Sequence, residues 1–358
     1  MNKPLNISRP FIHDKNLLFK ILNKSINKGI FTNNGPNLRS LENKLKKKID
    51  NQNLSLVSNG TLGLNLAIKA LDISGEIITT PFTYIATSSS IIWSACKPIY
   101  CDISLETFNI DADKIESLIN KNTKAIIATH VFGNPCEISK INRIAKKYTL
   151  KVIYDASHCW NVIFNGKSIL NYGDVSVISF NATKIFHTIE GGACIAKNNK
   201  IIKKINSMRF FGYDEKKNLK YYGINAKMSE FHAAVGMVNY KNSTNVHKKY
   251  KYIYKFYQKH LRDNKYIFFQ TNTNLENHNF SYFPIIFYNK SIKKKVIYRL
   301  NKIKIFPREY FDISLDKVYG NNDIKKSNYL ASRILCLPIH SFVKNSQLAN
   351  ICSIINNI

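Results

Sequence analysis

The sequence is poor in acidic residues and has no long uncharged apolar run. It contains 23 Asp and Glu residues against 53 Lys and Arg residues, which gives a formal net charge of +30. Because a membrane-spanning helix needs about 18 or more consecutive apolar residues, the sequence predicts no membrane partner. The first ten residues lack the apolar segment of a secretory signal peptide. These two absences favour a cytoplasmic protein.

Cysteine pairs at metal-binding or redox spacing are also missing. Seven cysteines occur, and none forms a Cys-X-X-Cys pair. Each lies in or beside an apolar run, which is typical of buried, reduced thiols. The sequence therefore predicts neither a disulfide framework nor a metal site. The seven are Cys96, Cys101, Cys136, Cys159, Cys194, Cys336 and Cys352.

The excess of positive charge is compatible with nucleic-acid binding, because basic side chains neutralise phosphates. Lysine, however, greatly outnumbers arginine and is spread over the whole chain. The short clusters at residues 46–48 and 293–295 come without the aromatic pattern of an RNA-binding motif or the spacing of a zinc finger. We interpret the charge as a compositional bias on solvated helix faces. An anionic small substrate is a simpler partner than DNA.

Length and patterning predict an α/β protein of two domains. The 358 residues are 44% hydrophobic, and the 12% of aromatic residues argues against disorder. Short apolar runs alternate with amphipathic segments, which implies a largely parallel sheet flanked by helices. The predicted helices are residues 62–71, 111–119 and 137–147, and the predicted strands are residues 54–57, 76–80, 98–103, 124–130, 151–155, 175–180 and 193–196.

The second half of the chain predicts a smaller α+β domain. A long helix is expected from Ser229 to about residue 260, followed by strands near residues 266–270 and 282–288 and a helix at residues 291–302. We expect an N-terminal segment and large α/β domain at residues 1–240 and a small C-terminal domain at residues 241–358.

Lys184 lies between an apolar strand and a Glu-Gly-Gly turn, among Ser, Thr, His and Glu. That setting indicates amine chemistry. Asp155 ends another predicted strand, and ligands of parallel sheets bind at the carboxyl ends of strands. Its carboxylate can face a cation or a protonated ring nitrogen, with a helix N-cap as the equal alternative. His158 is either a ligand contact or a packed core histidine.

Two further stretches add to this pattern. The segment Ser-Asn-Gly-Thr at residues 58–61 follows a strand and opens a helix, whose N-terminus attracts anions. A simple helix cap is the favoured interpretation of that segment alone. Tyr84, which follows another strand, either stacks on a planar ligand or packs in the core. Together, an anion cradle, an acid, an aromatic ring and an amine suit pyridoxal 5'-phosphate.

Over nearly its whole length the sequence resembles the DegT-type sugar-nucleotide aminotransferases, which have the PLP-dependent transferase fold type I. The resemblance rests on an ordered set of motifs. They are Thr-Asn-Asn-Gly-Pro (32–36), Ser-Asn-Gly-Thr (58–61), Thr-Pro-Phe-Thr-Tyr (80–84), His-Val-Phe-Gly-Asn-Pro (130–135), Ile-Tyr-Asp-Ala-Ser-His (153–158), the segment 179–192 and Gly-Ile-Asn-Ala-Lys-Met-Ser-Glu (223–230).

The resemblance implies a role for each matching residue. Lys184 is the Schiff-base lysine, Asp155 pairs with the pyridinium nitrogen, and His158 lies beside the ring hydroxyl. Tyr84 stacks on the ring. The phosphate is held by Gly60, Thr61, Ser179 and, from the partner subunit of a homodimer, Asn225. His187 and Arg308 are candidate substrate contacts, with surface or dimer packing as the alternative.

The resemblance also implies the reaction, in which L-glutamate gives its amino group to a nucleotide-linked keto-deoxysugar for surface polysaccharide biosynthesis. The expected substrate is dTDP-4-keto-6-deoxyglucose, and a dTDP-3-keto-6-deoxyhexose is the alternative. Ser157, Asn181 and Lys227 depart from residues common in the family. These departures leave the predicted reaction intact, but the resemblance then defines the substrate less closely. A nucleic-acid-binding regulator on an inactive aminotransferase scaffold and a PLP-dependent sugar dehydratase are rival interpretations, against which the intact Lys184 argues.

Overall fold

A seven-stranded sheet forms the centre of the computed structural model, which describes residues 4–320 and 324–358. The strands are β1 (Leu5–Asn6), β2 (Leu54–Val57), β3 (Glu76–Thr79), β4 (Lys97–Tyr100), β5 (Thr123–Thr129), β6 (Lys151–Asp155), β7 (Ile163–Phe164), β8 (Lys167–Ser168), β9 (Val175–Ser179), β10 (Gly192–Ala196), β11 (Ile267–Phe269), β12 (Pro284–Phe287), β13 (Ile305–Phe306) and β14 (Ile334–Cys336). The helices are α1 (Lys15–Asn27), α2 (Pro36–Ile49), α3 (Gly60–Ala70), α4 (Ile85–Trp93), α5 (Ile138–Lys147), α6 (Asn199–Met208), α7 (Glu230–Leu261), α8 (Lys290–Lys302), α9 (Asp316–Tyr319), α10 (Lys325–Ala331) and α11 (Asn345–Asn356).

The large sheet has the order β2-β10-β9-β6-β5-β3-β4. The pairs β3/β4, β3/β5, β5/β6 and β6/β9 are parallel, whereas β10 runs antiparallel to both β2 and β9. The predicted α/β class with a mostly parallel sheet is therefore confirmed. Because parallel strands end at one edge, the carboxyl ends of β5, β6 and β9 lie together.

Helices cover both faces of this sheet, and each face has its own apolar core. Along β6, the side chain of Tyr154 packs with α2 and α5, whereas Ile153 packs with α3 and α6. This alternation follows from the two-residue period of a strand. It also explains why the strand sequences read as continuous apolar runs rather than as apolar and polar residues in turn.

The C-terminal part of the chain builds a second layer. Strands β11, β12 and β14 form an antiparallel sheet, and their side chains pack with α8, α11 and the second half of α7. Helix α7 begins in the first core with Ala233 and ends in the second with Tyr257, whose hydroxyl donates to the carbonyl of Pro338 at 2.9 Å. The predicted division after residue 240 falls inside α7 and stays a prediction.

Two local predictions differ from the structure. Residues 111–119, expected to be one helix, form the short 3-10 helices Ala112–Lys114 and Glu116–Leu118. Their inward side chains, Ala112, Ile115 and Leu118, recur every three residues, which suits the three-residue turn of a 3-10 helix. Helices α1, α2 and α4 were not expected; α4 reads Ile-Ala-Thr-Ser-Ser-Ser-Ile-Ile-Trp, a composition of weak helix formers.

Across residues 4–320 and 324–358, no helix combines the length and the apolar character that crossing a bilayer requires.

Candidate active site

A cavity of about 470 Å³ opens at the carboxyl edge of the large sheet. The sheet and its helices supply one wall, and the C-terminal part of the chain supplies the opposite wall. The first wall includes Gly60, Thr61, Thr83, Tyr84, Asp155, His158, Ser179, Asn181 and Lys184, and the second includes Tyr282, Arg308, Tyr310 and Phe311. Most of the residues singled out in the sequence therefore meet in one place.

Asp155 is the last residue of β6, and its side chain is buried with 4% exposure. Its Oδ2 accepts a hydrogen bond from the hydroxyl of Thr87 at 2.7 Å, and its Oδ1 accepts one from the amide of Ser157 at 3.1 Å. These two donors fix the plane of the carboxylate at the cavity wall. A buried carboxylate held in this way is suited to face a cationic group of a ligand.

Lys184 projects into the same cavity from the turn between β9 and β10. Its Nζ donates to the hydroxyl of Tyr282 at 3.2 Å. Burial disfavours the ammonium form and lowers the pKa of Lys184 to about 8, although the charge of Asp155 acts in the opposite direction. Near neutral pH the amine is therefore far closer to its nucleophilic form than an ordinary lysine.

The N-terminus of α3 forms the anion-binding end of the cavity. The side chain of Asn59 caps the helix by accepting from the amide of Leu62 at 2.8 Å. The first amides of a helix have no acceptor within the helix, so those of Gly60 and Thr61 are available to a ligand. Glycine suits the close packing here, because a Cβ at Gly60 would lie 3.1 Å from the Cβ of Ser179, which is tighter than an ordinary contact.

His158 and Tyr84 both line the cavity. His158 is buried, its Nδ1 accepts from the amide of Phe132 at 3.1 Å, and its ring stacks with that of Phe132. Burial and the charge of Lys184 hold the pKa of His158 well below its usual range, so the ring is neutral. Tyr84 precedes α4, and the residue is 58% exposed rather than packed in the core.

Three other predicted residues are distributed differently. Arg308 is exposed at the rim of the cavity. Asn225 is also exposed, but it lies outside this cavity and accepts from Nζ of Lys227 at 2.7 Å. His187 is not brought to the cavity either. It is buried on the far side of Lys184, where its Nε2 lies 3.1 Å from the carbonyl of Phe11.

Comparison with known proteins identifies the family of this chain. The sequence model described as "DegT/DnrJ/EryC1/StrS aminotransferase family" matches residues 13–356. The chain belongs to this family. It is a sugar-nucleotide aminotransferase, as the sequence motifs predict.

Individual relatives match the aminotransferase over its full length. A dTDP-4-amino-4,6-dideoxy-D-glucose transaminase of Shigella dysenteriae is 36% identical over 366 residues, covering 100% of both chains. An Escherichia coli protein of the same description is 34% identical and covers 99% of this chain and 98% of its own. DesI, whose crystal structure was analysed in the presence of its TDP-sugar product, superposes with a TM-score of 0.94 at 24% identity, covering 100% of this chain and 93% of DesI.

The cofactor of the aminotransferase is pyridoxal 5'-phosphate, in agreement with the prediction. NtdA of Bacillus subtilis, solved with the cofactor PMP bound, is 26% identical, with a TM-score of 0.85 over 95% of this chain and 81% of NtdA. The residues present fit this group. The cavity offers an amine for its carbonyl carbon, a buried carboxylate for its ring nitrogen and a helix N-terminus for its phosphate.

Several residues in or directly behind the aminotransferase's cavity were not singled out in the sequence. Thr87 touches the Asp155 carboxylate, and Tyr282 touches the Lys184 amine. Thr87 follows Tyr84 by three residues, so a helix predicted at residues 85–93 would have pointed to it. Tyr282 and Phe311 come from the distant C-terminal part, and no local pattern marks them.

Proposed function

We propose that the aminotransferase moves an amino group from L-glutamate to dTDP-4-keto-6-deoxyglucose, which yields dTDP-4-amino-4,6-dideoxyglucose. The observation that carries this proposal is the convergence of the Lys184 amine and the Asp155 carboxylate in one cavity that has Arg308 at its rim. The two full-length relatives described as transaminases of this sugar support the choice of substrate.

Lys184 has two tasks in this proposal. The bound cofactor supplies an electron sink that lets the Cα proton of an amino acid leave. Lys184 would hold the cofactor through its amine, and once the amino-group donor had replaced it, the free amine would move that proton. A pKa of about 8 suits the second task, because the amine can both accept and return a proton near neutral pH.

The other residues orient and bind. Asp155 would face the ring nitrogen of the cofactor, and the neutral ring of His158 would lie beside its ring hydroxyl. Tyr84 would stack on the ring. The Gly60 and Thr61 amides and the Ser179 hydroxyl would hold the phosphate at the N-terminus of α3.

A second cavity gives room for the nucleotide. It measures about 490 Å³ and shares Thr83, Tyr84, Arg308, Tyr310 and Phe311 with the first. The guanidinium of Arg308, at this shared boundary, is suited to the two phosphates of a sugar nucleotide. The keto sugar would then enter the first cavity, and the thymidine would lie in the second. His187 lies behind Lys184, so we propose Arg308 alone as a direct substrate contact.

The alternative substrate is a dTDP-3-keto-6-deoxyhexose. A dTDP-3-amino-3,6-dideoxy-alpha-D-galactopyranose transaminase of Aneurinibacillus thermoaerophilus is 27% identical, and the match covers 84% of each chain. Which carbon receives the amine depends on how the sugar is rotated against Lys184, so the two substrates are distinguished by assay.

We further propose a homodimer in which Asn225 of each chain reaches the cofactor phosphate of its partner. The exposed position of Asn225, outside its own chain's cavity, supports this. So does the unusual exposure of Trp93 at 86% and Tyr222 at 101%, since large aromatic side chains are enriched in interfaces. We also propose that the protein is cytoplasmic, with all seven buried thiols reduced. Its proposed role is in surface polysaccharide biosynthesis.

A pair of glutamate-dependent assays tests the substrate. The protein is incubated with the 4-keto and, separately, the 3-keto dTDP-6-deoxyhexose, and NMR locates the amino group in each product. We expect amination at C4 with 2-oxoglutarate formed in equal amount. Amination only at C3 would show that the substrate is the 3-keto sugar and would leave the family assignment unchanged. Lys184→Ala should fold and lose both the absorbance of covalently held cofactor and all turnover; activity in that variant would refute the site.

A further inference from the structure

Three buried threonine hydroxyls form a chain that ends on the carboxylate of Asp155. The Oγ1 of Thr87 lies 2.7 Å from Oδ2 of Asp155, and the Oγ1 of Thr83 lies 3.0 Å from that of Thr87. The Oγ1 of Thr129 follows at 3.0 Å from that of Thr83. The three threonines are at most 3% exposed. They come from α4, from the segment before it and from the end of β5.

The charge of Asp155 fixes the direction of every bond in this chain. An ionised carboxylate accepts hydrogen bonds and donates none, so Thr87 is the donor. A hydroxyl has one proton, which Thr87 has then already used, and therefore Thr83 must donate to Thr87. By the same count Thr129 donates to Thr83. All three O–H dipoles thus point toward Asp155.

We propose that Thr87, backed by Thr83 and Thr129, is a positioning residue that holds the Asp155 carboxylate against the cofactor's ring nitrogen. The inference rests on the proposed role of Asp155. A hydrogen bond to a carboxylate favours its charged form, and a chain of aligned donors strengthens the last bond. The relay engages Oδ2 of Asp155 from the protein side, and the carboxylate still lines the cavity.

Within the relay, Thr83 and Thr129 line the cavity, and Thr87 is separate from the residues that line it. Thr87 lies behind Asp155 and does not line the cavity, so its loss removes no contact with a ligand. Its effect is expected through the protonation of the ring nitrogen alone. With a deprotonated ring nitrogen the cofactor is a weaker electron sink, so kcat should fall while KM for either substrate stays nearly constant.

The first experiment reads the ring nitrogen directly. Holoenzyme is prepared with ¹⁵N-labelled pyridoxal 5'-phosphate, and the nitrogen chemical shift distinguishes protonated from unprotonated rings. For Thr87→Val we expect a shift toward the unprotonated form and a kcat lowered about tenfold or more, the range for a hydrogen bond to a charged group. Thr87→Ser keeps the donor and should match the wild type. Thr129→Val removes the far donor at a residue that also lines the cavity, and it should give a smaller change of the ring shift with the same sign.

A matched control is available on β3. Thr79 is also fully buried, and its hydroxyl has no hydrogen-bond partner within residues 4–320 and 324–358. Thr79→Val should therefore leave the ring shift and kcat unchanged. Thermal unfolding of each apoprotein shows whether the variants fold. If Thr87→Val fails to fold, Thr129→Val and Thr87→Ser carry the test.

The outcomes separate this inference from the function it rests on. If Asp155→Asn changes the nitrogen shift and both valine variants of the relay leave it at the wild-type value, the relay is structural packing and the inference is overturned. If Asp155→Asn itself leaves the shift unchanged, Asp155 does not face the ring, and the proposed role of Asp155 fails first.

Discussion

Replacing Lys184 by methionine should stabilise the apoprotein at neutral pH. The side chain keeps a similar length and loses the amine whose charged form is disfavoured by burial. The difference between the ordinary pKa of 10.5 and the folded value of about 8 corresponds to about 3 kcal/mol, since each pKa unit is worth about 1.4 kcal/mol. Because the amine is only partly shielded from the open cavity, about 1–3 kcal/mol is the expected range at pH 7.

The sign of the pH dependence follows from the lowered pKa. Below pH 8 the amine is charged in both states, and the folded state bears the full cost. Between pH 8 and pH 10.5 the unfolded chain binds the extra proton, so the stability of the wild type rises with pH. The advantage of Lys184→Met should therefore shrink from about 1–3 kcal/mol at pH 7 to about 1 kcal/mol or less at pH 10.

Urea unfolding of the cofactor-free proteins at both pH values measures this change. Lys241 is an exposed lysine of α7, so Lys241→Met removes the same charge without changing a buried group. The free energy of unfolding of this variant should stay within about 0.5 kcal/mol of the wild-type value. The reasoning is refuted if the difference between Lys184→Met and the wild type is the same at pH 7 and pH 10. An equal change in the Lys241→Met control would refute it as well.

Three further predictions concern the surroundings of the site. Gly60→Val should weaken cofactor binding at least about tenfold in a fluorescence titration, because the side chain would collide with Ser179 and narrow the phosphate seat. Glu309→Gln leaves the buried ammonium of Lys293 without its charged partner. It should lower the free energy of unfolding by about 1–3 kcal/mol and raise KM for the sugar nucleotide, since Arg308 is adjacent. All seven cysteines are buried, and burial raises the pKa of Cys101 to about 12, so a disulfide reagent should titrate no thiol until the protein unfolds.

The sequence anticipated the parts of the fold whose evidence is local. Strands β2, β3, β5, β6 and β9 are apolar runs bounded by polar or turn residues, and their ends fell within about two residues of the prediction. The antiparallel direction of β10 could not be predicted from such local patterns. It depends on the turn that carries Lys184 returning the chain beside β9, which is a matter of tertiary packing.

The candidate site likewise has residues that local sequence predicts and contacts that it does not. Asp155 and Lys184 stand beside strand ends, so their common edge follows from the topology of a parallel sheet. The contact between Lys184 and Tyr282 joins residues 98 positions apart, and the Thr87 contact with Asp155 joins residues 68 apart. Such pairs have no periodic signature. The position of His187 behind Lys184 is of this kind too, because a residue three places along a turn points to either side.

The two walls of the cavity have separate origins in the chain, and this has a consequence for the evolution of specificity. The residues proposed to hold the cofactor belong to the large sheet and to the helices and turns at its carboxyl edge, whereas Tyr282, Arg308, Tyr310 and Phe311 come from the C-terminal layer. Substitutions in that layer can reshape the sugar-facing wall without disturbing the cofactor cradle. An exchange of residues 262–358 between relatives should therefore transfer substrate preference from one enzyme to the other.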